Sequence, residues 1–188
     1  MKVKYSDLKN KRVFITGGGS GIGGSIVEHF CEQRSEVYFV DIDLKETKKL
    51  LNKIKKNKFR SPTFIECNLL DINKLEKIIK KIISTKGPIH ALVNNAANDD
   101  RHTTDQVDEK YWENRMAINL KHYFFAAKSV VKAMKKIKYG SIVNLSSVSW
   151  MLGEGDKVVY ETAKSAVVGL TRSFAQEYGK YNIRTNSV

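Results

Sequence analysis

Tyr160 and Lys164 stand four residues apart, so on a helix they share one face. A free tyrosine titrates near pH ~10 and is a poor base at neutrality. An ammonium beside it would favour the phenolate and lower that value, which would let the pair draw a proton from an alcohol. A Tyr-x-x-x-Lys pair by itself is also a common surface feature, so its meaning depends on the frame around it. A second group of residues supplies one. Thr16-Gly17-Gly18-Gly19-Ser20-Gly21-Ile22-Gly23 follows a short apolar run and precedes a helical pattern. Glycines there let a backbone approach a phosphate closely and leave amides free at a helix N-terminus. Asp41 lies 18 residues after Gly23, at the end of the next apolar run. A carboxylate at that place accepts both ribose hydroxyls of NAD and repels the 2′-phosphate of NADP. No Lys or Arg adjoins Asp41 before Lys45.

The elements that must position these residues alternate along the chain. Strands are expected at Lys11–Thr16, Glu36–Asp41, Thr63–Cys67, Ile89–Asn94, Gly140–Leu145 and Asn182–Val188. Helices are expected from the glycine turn to Gln33, over Leu44–Lys58, from Asp71 to Gly87-Pro88, from about Tyr111 to Lys136, and from about Val158 to Gly179. The third helix is clearly patterned: Ile72, Leu75, Ile78, Ile79, Ile82 and Ile83 recur at three and four. Asn98–Asp108 reads as a polar loop. Alternation of this kind predicts an α/β fold, a doubly wound parallel sheet of Rossmann type with order 3-2-1-4-5-6, as one domain over residues 1–188.

Bulk properties narrow the field. The 188 residues carry a net charge of +13. The lysines fall at helical spacing (Lys45, Lys48, Lys49, Lys53, Lys55, Lys56, then Lys74, Lys77, Lys80, Lys81), which is the pattern of solvated helix faces. No Arg cluster with interleaved aromatics and no nucleic-acid motif accompanies them, so no nucleic-acid partner is expected. No apolar run is long enough to span a bilayer. Residues 1–10 lack an apolar signal core. Cys31 and Cys67 form neither a disulfide framework nor a zinc pattern and are expected as buried thiols, with no metal site. These features point to a cytoplasmic setting.

Taken in order, the motifs resemble those of the short-chain dehydrogenase/reductase family. They are the glycine turn, Asn94-Asn95-Ala96-Ala97 (Ala97 for the family's usual Gly), Asn119, Ile142–Ser147, Tyr160-x-x-x-Lys164 thirteen residues after Ser147, and Ile183-Arg184-x-Asn186-Ser187-Val188. The resemblance runs from about Lys11 to Val188. It implies a catalytic set of Asn119, Ser147, Tyr160 and Lys164, in which Ser147 bonds the substrate oxygen and Asn119 holds a relay water. It also implies a cofactor site of Gly17, Gly19, Ser20, Gly21, Ile22, Gly23, Asp41, Asn68, Leu69, Asn95 and Ala96, with Tyr160 and with Lys164 on the ribose. Asn68 takes the place of a frequent Asp. Dimers or tetramers are the family's habit. Relative to the family, the chain stops short of its C-terminal segment. A poorly active protein with an unpaired, association-prone last strand is therefore expected, and an inactive dinucleotide-binding protein is a second reading.

Asn94–His102 and Ser147–Gly153 resemble the branch that oxidises aldoses at C1, of the D-xylose and L-arabinose 1-dehydrogenase kind. A sugar needs dense hydrogen bonding, which Asn98, Asp99, Asp100, Arg101 and His102 could supply, while Trp150 offers a flat apolar face; a solvated loop with internal ion pairs is the other reading of the same run. Ser147 and Tyr160 complete the expected substrate contacts. The competing enzyme reading is a dehydrogenase or reductase for another alcohol or a 3-oxoacyl substrate.

Overall fold

A computed structural model of the chain describes residues 3–188. Six strands form one parallel sheet: β1 (Arg12–Thr16), β2 (Glu36–Asp41), β3 (Thr63–Glu66), β4 (Ala91–Asn94), β5 (Gly140–Asn144) and β6 (Ile183–Ser187). Their spatial order is β3-β2-β1-β4-β5-β6. All pairings are parallel, as the alternation of strand and helix patterns requires. The helices are α1 (Gly21–Glu32), α2 (Leu44–Lys56), α3 (Ile72–Lys86), α4 (Glu109–Met116), α5 (His122–Ile137), α6 (Ser149–Leu152) and α7 (Val158–Tyr178).

Residues of the central strands β1, β2 and β4 are buried on both faces and divide by parity. Val13, Ile15, Val37 and Phe39 join Val27, Leu50 and Ile54 in one core. Phe14, Tyr38, Val40 and Leu92 join Leu75, Ile79, Val130 and Met134 in the other. The lysines of α2 and α3 are exposed, while Thr47, Leu50 and Ile54 of α2 face inward. Cys31 and Cys67 are buried free thiols, and burial pushes the Cys31 thiol up to about 12. No helix among the described residues is long and apolar enough to cross a membrane.

Two features differ from the periodicity reading. The helix expected from Tyr111 begins at Glu109, where the Asp108 side chain accepts the Tyr111 amide at 2.6 Å. It is then interrupted by a π turn over Ala117–Lys121 that holds Asn119. A π turn shifts the apolar register only once, and a single break in an otherwise helical pattern is hard to read as a π turn. Helix α6 is one turn long, too short to have a period.

Candidate active site

Chain reversal across the sheet places the expected cofactor residues at its C-terminal edge, where β1 has β2 on one side and β4 on the other. A crevice opens there in open parallel sheets. The pocket at this edge has a volume of about 520 Å³. Gly17, Ser20, Gly21, Ile22, Gly23, Asp41, Asn68, Leu69, Asn95 and Ala96 line it, as do Asn98 and Asp99.

The glycine turn is shaped for a ligand and held from behind. Ser20 makes no side-chain cap to α1, so the first amides of that helix carry no side-chain acceptor from their N-cap. A Cβ on Gly23 would lie 1.9 Å from the Gly17 carbonyl oxygen. Asn95 donates its side-chain amide to Thr16 O (3.0 Å) and Gly17 O (2.9 Å). Thr16 Oγ1 accepts the Asn95 and Ala96 amides at 3.0 and 3.2 Å. Asn95, expected in the cofactor site, thus has its side-chain amide engaged in fixing the turn. Gly19 lies within the turn without lining the pocket and donates its amide to Asp41 Oδ2 at 2.7 Å. Asp41 Oδ1 accepts from Ile42 and Asp43 at 2.7 and 2.9 Å. Three backbone amides therefore hold the carboxylate rigid at the pocket wall. Asn68 closes a local turn by accepting from Leu70 N–H at 3.0 Å, which leaves its side-chain nitrogen available.

Ser147 follows β5, and Tyr160 lies in the first turn of α7. Burial pushes the Tyr160 hydroxyl above its ordinary value, with the neighbouring Ser147 hydroxyl opposing and Asp99 adding to the rise. This corrects the expectation that Lys164 lowers it. Lys164 is 1% exposed and donates to Leu145 O at 2.7 Å and to Tyr123 Oη at 3.0 Å. Its Nζ lies 5.5 Å from the centre of the Tyr160 ring. Burial pushes the Lys164 ammonium down to about 8, with Asp99 opposing. Asn119 is buried, with both side-chain atoms on the Asn98 backbone: Oδ1 accepts N–H at 2.8 Å and Nδ2 donates to O at 2.9 Å. Its amide therefore anchors the Asn98 loop in the first place.

Of the expected sugar contacts, Asp99 is exposed and within electrostatic reach of Tyr160 and Lys164. The Asn98 oxygen accepts Asp100 N–H at 2.9 Å in a turn. Trp150 is half-buried on α6, which packs on α7. His102 departs from the expectation. It is 5% exposed and both ring nitrogens are engaged inside the protein.

Several residues behind the site were given no role by the sequence pattern. Asn94 Nδ2 donates to Asn144 Oδ1 at 2.9 Å, and Asn144 Nδ2 donates to Thr171 Oγ1 at 2.9 Å, a buried polar chain that joins β4, β5 and α7. The signal was available as asparagines ending two apolar strands. His122 is fully buried with Nε2 3.4 Å from Thr16 Oγ1. Burial, helped by Lys164, holds its imidazole down to about 3. Between that value and its ordinary 6.5, the unfolded chain binds a proton that the folded chain refuses. Stability is then complete above about pH 6.5 and falls as pH drops toward 3, by roughly 3 kcal/mol at pH 4 from this residue. Urea unfolding of the wild type and His122→Gln at pH 7 and pH 4 checks this. The variant should lose less stability on acidification, and equal losses would contradict it.

The chain matches the profile of short chain dehydrogenases over residues 11–188. It is 40% identical over 184 residues to D-xylose 1-dehydrogenase of Caulobacter vibrioides, covering 98% of this chain and 72% of that one. It is 37% identical over 185 residues to a Rhizobium meliloti protein named as a probable galactose dehydrogenase, with the same coverage. The solved structure of Thermoplasma acidophilum aldohexose dehydrogenase superposes with a TM-score of 0.84 at 32% identity, over 97% of this chain and 67% of that one.

Proposed function

The chain belongs to the short-chain dehydrogenase family, a family of oxidoreductases that bind a nicotinamide dinucleotide, and on that premise we propose that it oxidises a cyclic aldose at C1 to the aldonolactone with NAD. The observation that carries the reading is Tyr160 beside Ser147, with the Lys164 ammonium 5.5 Å from the centre of its ring and Asp99 within electrostatic reach of both. Two relatives named for aldoses support the substrate class.

The dinucleotide fits the turn: the Gly23 cradle admits no Cβ, the α1 amides lack a side-chain cap, and Asp41 is held where ribose hydroxyls would reach it. Gly17, Gly19, Ser20, Gly21, Ile22 and Gly23 would hold its phosphates, and Asn68, Leu69, Asn95 and Ala96 would line the adenine and ribose path. When bound, it supplies the acceptor for hydride from the substrate carbon. Ser147 orients the C1 oxygen, and Tyr160 takes its proton. Lys164 keeps a positive charge 5.5 Å from the centre of the Tyr160 ring; Leu145 O and Tyr123 Oη take two of its three donors, which leaves one for the ribose. Asn119 fixes Asn98, and Asp99 and Trp150 meet the ring hydroxyls and C–H face of the sugar. Loss of hydride and proton from a ring hemiacetal leaves a carbonyl beside the ring oxygen, which is the lactone. The protein works as a single domain in a homo-oligomer in the cytoplasm.

Activity with xylose, arabinose, galactose and glucose, read as NADH formation, tests the reading against secondary alcohols and 3-oxoacyl thioesters. Turnover of at least one aldose is expected. Reduction of ketoacyl substrates with every aldose silent would overturn the sugar assignment and leave the family standing.

The cofactor choice has its own test. The carboxylate of Asp41 should repel a 2′-phosphate, so NAD should bind more tightly than NADP in a calorimetric titration. Asp41→Ala should narrow the difference. Equal affinity for both cofactors in the wild type would remove Asp41 from the ribose.

A further inference from the structure

The Asn98–His102 stretch is engaged with the protein far more than with the pocket. Asp100 accepts from Arg115 Nη2 of α4 at 2.7 Å. Arg101 pairs with Asp156, just ahead of α7. The His102 amide donates to the Asp156 carbonyl at 2.7 Å. Its ring lies 4.9 Å from that of Tyr111 on α4, in an edge-on contact. The loop therefore spans from α4 to the N-terminus of α7.

The His102 ring answers a specific need at that N-terminus. The first amides of a helix have no partner within it. Lys157, the N-cap of α7, offers no side-chain acceptor. Val159 is fully buried, so water cannot satisfy its amide. His102 Nε2 accepts that N–H at 3.3 Å. The bond fixes the tautomer, because a neutral ring accepting at Nε2 carries its proton on Nδ1. Nδ1 lies 3.0 Å from the Asp100 carbonyl and 2.9 Å from Tyr111 Oη, and both can accept that proton. The residue after Val159 is Tyr160.

We propose that His102 is a positioning residue for Tyr160: it is the N-terminal cap of α7, supplied from the 98–108 loop, and it registers the loop that carries Asp99 against the base. The proposal rests on the reading of Tyr160 as base. Asp99 lies three residues before His102 and Tyr160 one residue after Val159, so one hydrogen bond ties a substrate-facing group to the proton acceptor. Loss of the cap lets the first turn of α7 shift or fray. A displacement of ~1 Å at reacting groups costs on the order of 10²-fold in rate.

The test uses the whole chain with His102→Phe, His102→Gln and Tyr160→Phe. Phenylalanine keeps a ring without an acceptor, while glutamine keeps an acceptor at similar reach. Expected for His102→Phe is a kcat for aldose lowered roughly 10- to 100-fold, with dinucleotide affinity unchanged and Val159 amide exchange accelerated. His102→Gln should restore most of both. Independently of activity and of any variant, nitrogen-15 NMR of the unsubstituted chain should show the Nδ1–H tautomer of His102. The Nε2–H tautomer, unchanged Val159 exchange in His102→Phe, or equal kcat loss in both His102 variants would overturn the proposal. If Tyr160→Phe stays active, the base assignment falls, and the exchange and tautomer measurements still decide the cap.

Discussion

Tyr160→Phe should abolish most NADH formation from aldose while leaving dinucleotide affinity nearly unchanged. The substitution removes one hydroxyl and keeps the ring, whose neighbours are the ammonium groups of Lys164 at 5.5 Å and Lys157 at 5.9 Å from its centre. The fold should hold, because the substitution keeps the ring, and Ser147 beside it bonds Ser149 Oγ at 2.8 Å. General base catalysis contributes about 10²–10⁴-fold, so kcat should drop by that order. The pH dependence provides a second reading. Burial raises Tyr160 above its ordinary value, so the phenolate fraction grows with every unit of pH in the neutral range. Between pH 6 and 7, below the point where Lys164 gives up its proton at about 8, the wild-type rate should climb and the residual rate of the variant should not. A variant with most of its kcat, or a flat wild-type profile over that range, would assign the proton to another group.

Gly23→Ala should eliminate dinucleotide binding, whereas Gly24→Ala one residue later should be harmless. At Gly23 a methyl group would sit 1.9 Å from the Gly17 carbonyl oxygen and 2.5 Å from Asn95 Nδ2. Neither can give way cheaply: the carbonyl is backbone, and Asn95 is tied to Thr16 and Gly17. The turn must open, which moves the α1 amides away from a phosphate. At Gly24 the nearest atoms lie at 3.6 Å, an ordinary contact. Alanine within a helix is favoured over glycine by about 1 kcal/mol, so Gly24→Ala should raise the melting temperature slightly. Binding of NAD followed by fluorescence, together with thermal unfolding, separates the two. Normal affinity in Gly23→Ala would mean that the cradle is not the phosphate site.

What the sequence determined by itself is what local periodicity and motif order can encode. Apolar runs alternating with 3.6-residue patterns fix strand and helix identity, and with right-handed crossovers and the glycine turn after β1 they give the Rossmann order, the one observed. Glycine spacing and the acid after β2 locate the crevice because each is tied to one strand end, and Gly17, Gly23 and Asp41 line it. Tertiary structure alone decided how side chains are used. Helical spacing puts Lys164 on the face of Tyr160, yet the depth of the site turns its ammonium to Leu145 and Tyr123, and burial then governs the phenol. The composition of Asn98–His102 suits sugar binding, but His102 lies over the buried first turn of α7, where an unpartnered amide claims its acceptor. Asn119 sits in a π turn that a pattern of apolar residues does not reveal, because a single break in an otherwise helical pattern is hard to read as a π turn. Periodicity reports which face of an element is covered. Which donor meets which acceptor depends on distances between segments far apart in the chain, and only the packed fold sets those.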